Sequence, residues 1–325
     1  MTAGLIRRKV FHLHSNRQRL TAHMDRRLAA PLAMSRDRIR INSPRGRPAG
    51  SMISSRNLSA ETDQAQGEPV PGTDQPFDAA AFDPAAYGRF AARDYDELYA
   101  GLDPSAAVDT LADLADGGPV VEFGIGTGRL ALPLAGRGLE VHGIDGSPEM
   151  AALLHRKPGG ADIPVVIGDF SEVTAGNAFA LAVLAINTIY ALPSQEAQVA
   201  CFRNAARHLR PGGRFVVEAW VPDVGAFRNG TAVRPVQIHD GHVELEIARL
   251  HPATQRMLTT KVHMSDGGIR LIPANHRYAW PSELDLMAQL AGMRLAYRWE
   301  DWKRTPFHDA STDHISVWEK PAVGA

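Results

Sequence analysis

From residue 105 onward, apolar residues fall alternately into short continuous runs and helix-spaced sets. The runs at 119–123, 140–144, 164–167, 181–186 and 214–219 have the length and the unbroken apolar character of strands buried on both faces. Start and stop signals frame the helices. Ser147-Pro148-Glu149 combines an N-cap, a proline at the first helical position and a first-turn acid, and Ser194 caps a helix that Leu209-Arg210-Pro211-Gly212-Gly213 ends. A further helix is predicted over 105–114. Strand and helix in strict alternation, joined by right-handed crossovers, predict an α/β fold. Its parallel sheet is covered by helices on both faces, and the loops after the strands gather at one edge.

Residues 221–280 change character. Val243-Glu244-Leu245-Glu246-Ile247 and Leu258-Thr259-Thr260-Lys261-Val262 alternate with period two, and Asp240-Gly241 and Asp266-Gly267-Gly268 supply turns, so an inserted antiparallel sheet is expected. Beyond it, 281–291 reads as a helix and 295–299 with 314–318 as the last two strands. Upstream, Tyr87, Phe90, Tyr95, Leu98 and Tyr99 recur at helical spacings and predict short helices with an aromatic face. The first 75 residues show no sustained period and are rich in Arg, Ser and Pro, as expected of a disordered leader. The expected organisation is a leader over 1–75, a core over 76–220, an insert over 221–280 and completion of the core sheet by 281–325.

Composition adds exclusions. With 44% apolar and 22% charged residues the chain can build a globular core, and no stretch reaches the ~20 apolar residues of a membrane span. No secretory apolar block stands near the N-terminus, so a cytoplasmic location is expected. The single cysteine, Cys201, excludes a disulfide framework or a cysteine-based zinc site and fits the helical packing pattern of Val199, Phe202, Ala206 and Leu209. The net charge of -1 conceals about +11 in residues 1–60 and -12 in the rest. The basic leader suits a nucleic-acid arm or a transit-like segment, or it precedes a start at Met52; the acidic remainder argues against a phosphate-tracking surface.

The chemistry begins at Glu122-Phe123-Gly124-Ile125-Gly126-Thr127-Gly128, directly after the first strand. Glycines there let the backbone approach a nucleotide-like ligand without a Cβ in the way. Arg129 and Leu130 follow Gly128, which breaks the dinucleotide spacing, and no Gly-Lys-Ser or Gly-Lys-Thr is present.

This turn resembles the acid-x-G-x-G-x-G motif of class I S-adenosylmethionine (SAM) methyltransferases, and the resemblance continues in order over residues 84–320. It implies a Rossmann-like seven-stranded sheet, with the inserted β-sheet similar to that of small-molecule methyltransferases. It also implies SAM as cofactor. Asp145 ends the second strand, where a carboxylate can accept both ribose hydroxyls or simply open the Asp145-Gly146-Ser147 turn; the resemblance implies the first role. Asp169 and Phe170 after the third strand are expected against the adenine, and Glu122 at the methionine end. Tyr95, with Tyr87 and Tyr99, is expected to fold over the cofactor or to pack.

The acceptor side is less legible. Asn187-Thr188-Ile189-Tyr190 has the Asn and aromatic spacing of the N-P-P-Y motif but lacks both prolines, which argues against DNA or glutamine methylation. Asn187 is placed with the cofactor-binding set. Tyr190 and His276 are the catalytic candidates, His276 being preferred over His239, His242, His251 and His263 because Tyr278 and Trp280 lie beside it. Ala185, Ile186 and Asn187 offer no carboxylate for a metal, so a metal-independent transfer to a small-molecule N or O acceptor is expected. The insert is expected to contact the acceptor or a second subunit of a homodimer. A SAM-binding scaffold without chemistry, an RNA methyltransferase using the basic arm and a nicotinamide oxidoreductase are the rivals.

Overall fold

The computed structural model describes residues 83–85, 88–89, 92, 95–99 and 101–322; the leader, Met52, Tyr87 and Phe90 lie outside them. The described part opens with α1 (Tyr95–Leu98) and α2 (Ser105–Ala115), followed by β1 (Val120–Phe123), α3 (Ala131–Ala135), β2 (Val141–Asp145), α4 (Pro148–His155), β3 (Val165–Ile167) and β4 (Phe179–Leu184). Then come α5 (Gln195–His208), β5 (Leu209–Trp220), four strands β6 (Thr231–His239), β7 (His242–His251), β8 (Arg256–Ser265) and β9 (Gly268–Arg277), α6 (Pro281–Leu290), β10 (Arg294–Trp299) and β11 (Asp313–Glu319).

The main sheet has the order β10-β11-β5-β4-β1-β2-β3, and β11 alone runs against its neighbours. Alternation along each strand divides the core in two. Val121, Phe123, Ala182, Leu184, Phe215 and Val217 join Phe202 and Trp318 on the side of α5 and α6. Val120, Leu181, Val183 and Val216 meet Leu111, Leu134 and Leu154 on the side of α2, α3 and α4. Cys201 is wholly buried in the first of these clusters, as a packing residue. Ser147 and Ser194 cap α4 and α5 by accepting from Met150 N and Ala197 N, each at 3.2 Å.

The end of β4 and the start of β5 differ from the sequence expectation. β4 stops at Leu184 because Ile186 and Asn187 take φ of +46° and +60°, which turns the chain out of the sheet. β5 starts at Leu209 because the chain pairs with Phe179 as soon as α5 ends; the register then shifts across Pro211-Gly212-Gly213 before Leu181 pairs with Arg214. The insert is a four-stranded antiparallel meander in the order β6-β7-β8-β9, twice the two strands legible by alternation. Its base is tied to the core. Arg277, 6% exposed, donates to Gln198 Oε1 and, at 2.7 Å, to Glu283 Oε1.

Candidate functional site

The ends of β1, β2 and β3 bring the glycine turn, Asp145 and Asp169 to one edge of the sheet, since Phe123 pairs with Ile144 and Asp145 with Ile167. Gly124, Gly126 and Gly128 have φ of +70°, +57° and +84°. A Cβ on Gly128 would meet Leu154 Cδ1 at 2.3 Å, so that glycine serves packing, whereas a Cβ on Gly126 would come no nearer than 3.9 Å, to the Tyr95 side chain. Asp145 fastens this turn to the next one. Its Oδ2 accepts from Gly126 N at 2.7 Å and its Oδ1 from Ser147 N at 2.8 Å. Burial raises the Asp145 pKa and these two backbone bonds oppose the rise.

Glu122 is 5% exposed, and its Oε2 is buried without a hydrogen-bond partner. Burial pushes its pKa up to about 8, with Arg129 pulling down and Asp145 pushing further up. The carboxyl is therefore largely protonated at neutral pH. Beside it, the Tyr95 ring lies 4.6 Å from that of Tyr99. Asp96 on α1 accepts from Thr127 Oγ1 at 2.5 Å and from Lys157 Nζ at 2.9 Å. The same N-terminal segment presses on the turn after β2: Gly88 leaves no room for a Cβ against Ser147, nor Gly146 against Pro84.

At the far edge of this turn cluster, Asn187 Oδ1 accepts from Trp220 N at 2.7 Å, so this side chain bridges the ends of β4 and β5. Glu218 is held at both oxygens, by Ile186 N at 2.9 Å and Trp302 Nε1 at 2.7 Å. His276 on β9 lies edge-on to Trp220 with ring centroids 6.4 Å apart, and its Nδ1 is buried without a partner. Burial lowers the His276 pKa to about 4, so the imidazole is neutral.

A family model described as a methyltransferase domain matches residues 120–213. The chain is 37% identical to the CcbJ methyltransferase from Streptomyces caelestis, with a TM-score of 0.69 over 74% of this chain and 100% of that one. The chain belongs to the SAM-dependent methyltransferases. It is also 26% identical over 244 residues to the cypemycin N-terminal methyltransferase of a Streptomyces species, covering 73% of this chain and 99% of that protein. The fold is shared with SAM-bound CalS10, an amino pentose methyltransferase from Micromonospora echinaspora, at 22% identity over 70% of this chain and 96% of that one, with a TM-score of 0.53.

For a SAM-dependent methyltransferase, two of the expected site residues are packed more tightly than anticipated. Tyr190 is wholly buried, with its hydroxyl 2.9 Å from both the Trp220 and the Ala279 carbonyl oxygens. Burial raises its pKa, and the hydroxyl proton is already directed at the backbone, so Tyr190 is a strut rather than an acid or base. Phe170 is 9% exposed and stacks on Phe123 at 6.1 Å, so its ring belongs to the core and one face is closed to a ligand. Asp169 remains half-buried; its Oδ1 accepts from Ser171 N at 2.7 Å. Asp96, Thr127 and Lys157 were not found from sequence, because nothing in a lone Asp-Lys pair 61 residues apart signals a contact.

Proposed function

We propose that this methyltransferase transfers the methyl group to an amine nitrogen of a small molecule by direct in-line displacement, without a metal at the reacting centre. The observation that carries the reading is the chemistry left over at the ends of β4 and β5. The Tyr190 hydroxyl and both Glu218 oxygens are engaged, and His276 is neutral with a pKa near 4. No strong base of this set faces the acceptor, and an amine requires none once it has lost its ammonium proton, whereas a hydroxyl requires one during attack. A relative named as an N-terminal methyltransferase supports the choice, since the N-terminus of a peptide is an amine.

SAM supplies a methyl group on a positively charged sulfur. The residues present fit this group: a buried carboxyl oxygen of Glu122 lacks a partner, and the Cβ side of Gly126 is open toward Tyr95. In this reading the Gly124, Gly126 and Gly128 backbone borders the cofactor, Asp145 accepts the ribose hydroxyls and Asp169 accepts from the adenine amine. Glu122 faces the methionine end. Tyr95 covers the site and excludes water, and Asn187 holds the strand ends that border it. His276 offers its unpartnered Nδ1 to an N–H of the acceptor, which orients the lone pair for attack.

The opposite face of the insert carries Val233, Ile238, Ile269 and Leu271 at 65%, 69%, 71% and 54% exposure. Register places these on one apolar surface with Val243, Leu245 and Val262, and a second copy of the chain covers it in a homodimer. The function is tested by supplying methyl-labelled SAM with matched amines and alcohols. N-methylated products and S-adenosylhomocysteine are expected; transfer confined to the alcohols would overturn the amine assignment.

A further inference from the structure

His242 and Glu244 are two residues apart on β7 and so share a face, and His263 on β8 stands directly across from Glu244. One ligand atom from each lies within 4.8 Å of the others, the one such triad of His, Cys, Asp or Glu among the described residues. Glu244 is 7% exposed, yet the two nitrogens beside it, Lys261 Nζ at 3.6 Å and His263 Nδ1 at 3.7 Å, stand beyond hydrogen-bonding distance. His263 Nε2 is buried with no partner at all. The two imidazoles are 6.0 Å apart and tilted by 48°, so they do not stack on one another. His263 thus keeps a buried ring nitrogen without a partner and Glu244 has only these long contacts, so a bound cation would give the pair the close partner it lacks.

We propose that His242, Glu244 and His263 form a binding site for a divalent first-row transition metal, with Zn²⁺ as the natural probe. Two imidazoles and one carboxylate are a donor set such ions accept, leaving a position for water. Donors bound to one ion at about 2.0–2.2 Å each sit about 3–4 Å apart, so the triad closes on the ion by side-chain movements of about 1 Å. Lys261, 43% exposed, balances Glu244 when no metal is bound and is free to withdraw into solvent. The ion would join β7 to β8 beside the Asp240-Gly241 and Asp266-Gly267 turns. His276 stands six residues along β9 from Arg270, the partner of His263, which places it about 20 Å from the triad. The site is thus separate from the reacting centre and independent of the amine reading.

The full chain, stripped with a chelator, is titrated with Zn²⁺ by calorimetry, and bound metal is counted by mass spectrometry. One equivalent is expected, with a visible absorption band on replacement by Co²⁺. His242→Ala/His263→Ala should lose more than about 100-fold in affinity, beyond the effect of an outer-shell change, while His251→Ala on the same strand keeps it. Glu244→Gln, which preserves size, gives the same loss if the double variant fails to fold. No uptake by the wild type, or unchanged affinity in folded His242→Ala/His263→Ala or Glu244→Gln protein, overturns the proposal.

Discussion

Lys157 Nζ lies 2.7 Å from Asp96 Oδ2 and donates to the Thr127 carbonyl at 2.8 Å, so one ammonium joins the helix bearing Tyr95 to the glycine turn. Thr127 completes the latch through its hydroxyl. Burial alone would raise the Asp96 pKa, but the bonds from Lys157 and Thr127 outweigh it and hold the carboxyl below its ordinary value. The ion pair is partly exposed, with side chains 30% and 57% accessible, so its direct contribution to stability is about 0–1 kcal/mol. Its proposed consequence is to hold Tyr95 over the cofactor. Asp96→Asn and Lys157→Met should each weaken SAM binding by about 3- to 10-fold in a calorimetric titration, with Tm changed by less than about 3 °C. An unaltered affinity in both variants would leave the latch without a role in binding.

Gly126 and Gly128 should fail in different ways. Both sit at positive φ, where alanine is strained by about 1–2 kcal/mol. Gly128→Ala adds a collision with Leu154 and Leu132, so it is expected to lower Tm markedly and to lose SAM binding only as a result. Gly126→Ala makes only ordinary contacts, at 3.9 Å and beyond, so it should keep most of its Tm and lose at least about 10-fold in SAM affinity by thinning the room beside Tyr95. Thermal melts and titrations on the same preparations separate the two.

Tyr190→Phe tests the strut. Removing a hydroxyl that lies between the Trp220 and Ala279 carbonyls should lower stability by about 1 kcal/mol in a denaturant titration. Turnover should stay within about twofold of wild type, whereas a proton-transfer role would lower it by about 100-fold or more.

These outcomes bear on what the sequence could convey. The order of the strands and the glycine turn were legible because they depend on local pattern: apolar runs of strand length, capping serines and glycines that need positive φ. Tyr190 was not, because an aromatic after a strand looks the same whether it faces a ligand or the core, and only the burial of its hydroxyl against a residue 89 positions away decides. Phe170 shares this ambiguity with Phe123. The histidines of the insert were equally opaque. His242 and His263 converge through the register of β7 with β8, which alternation alone does not give.

The proposed place of Glu122 at the methionine end predicts a SAM affinity that depends on pH. Its folded pKa is raised from 4.5 to about 8, so in the free enzyme its stabilising contribution is complete below pH 4.5 and is lost as pH rises through 8. A cationic ligand favours the ionised carboxylate, so SAM affinity should rise with pH up to about 8 and level off above it. Glu122→Gln should flatten both profiles. A wild-type affinity that does not change between pH 6 and 9, measured at constant ionic strength, would remove Glu122 from the cationic end of the ligand.

The apolar outer face of the insert sets the last expectation. Ile269 and Leu271 on β9 stand two apart, more than half exposed, and continue across Val262 and Leu245 toward Ile238. Exposed rows of this kind lower the free energy when covered by about 25 cal/mol per Å² of apolar surface, a non-directional gain that a two-fold axis doubles by using the same patch on both partners. Ile269→Asp/Leu271→Asp should therefore shift the protein from dimer to monomer in light scattering coupled to size exclusion. The substituted side chains point away from the face that carries His276, so SAM affinity should stay within about twofold of wild type. A wild type that runs as a monomer at every concentration would count against the homodimer.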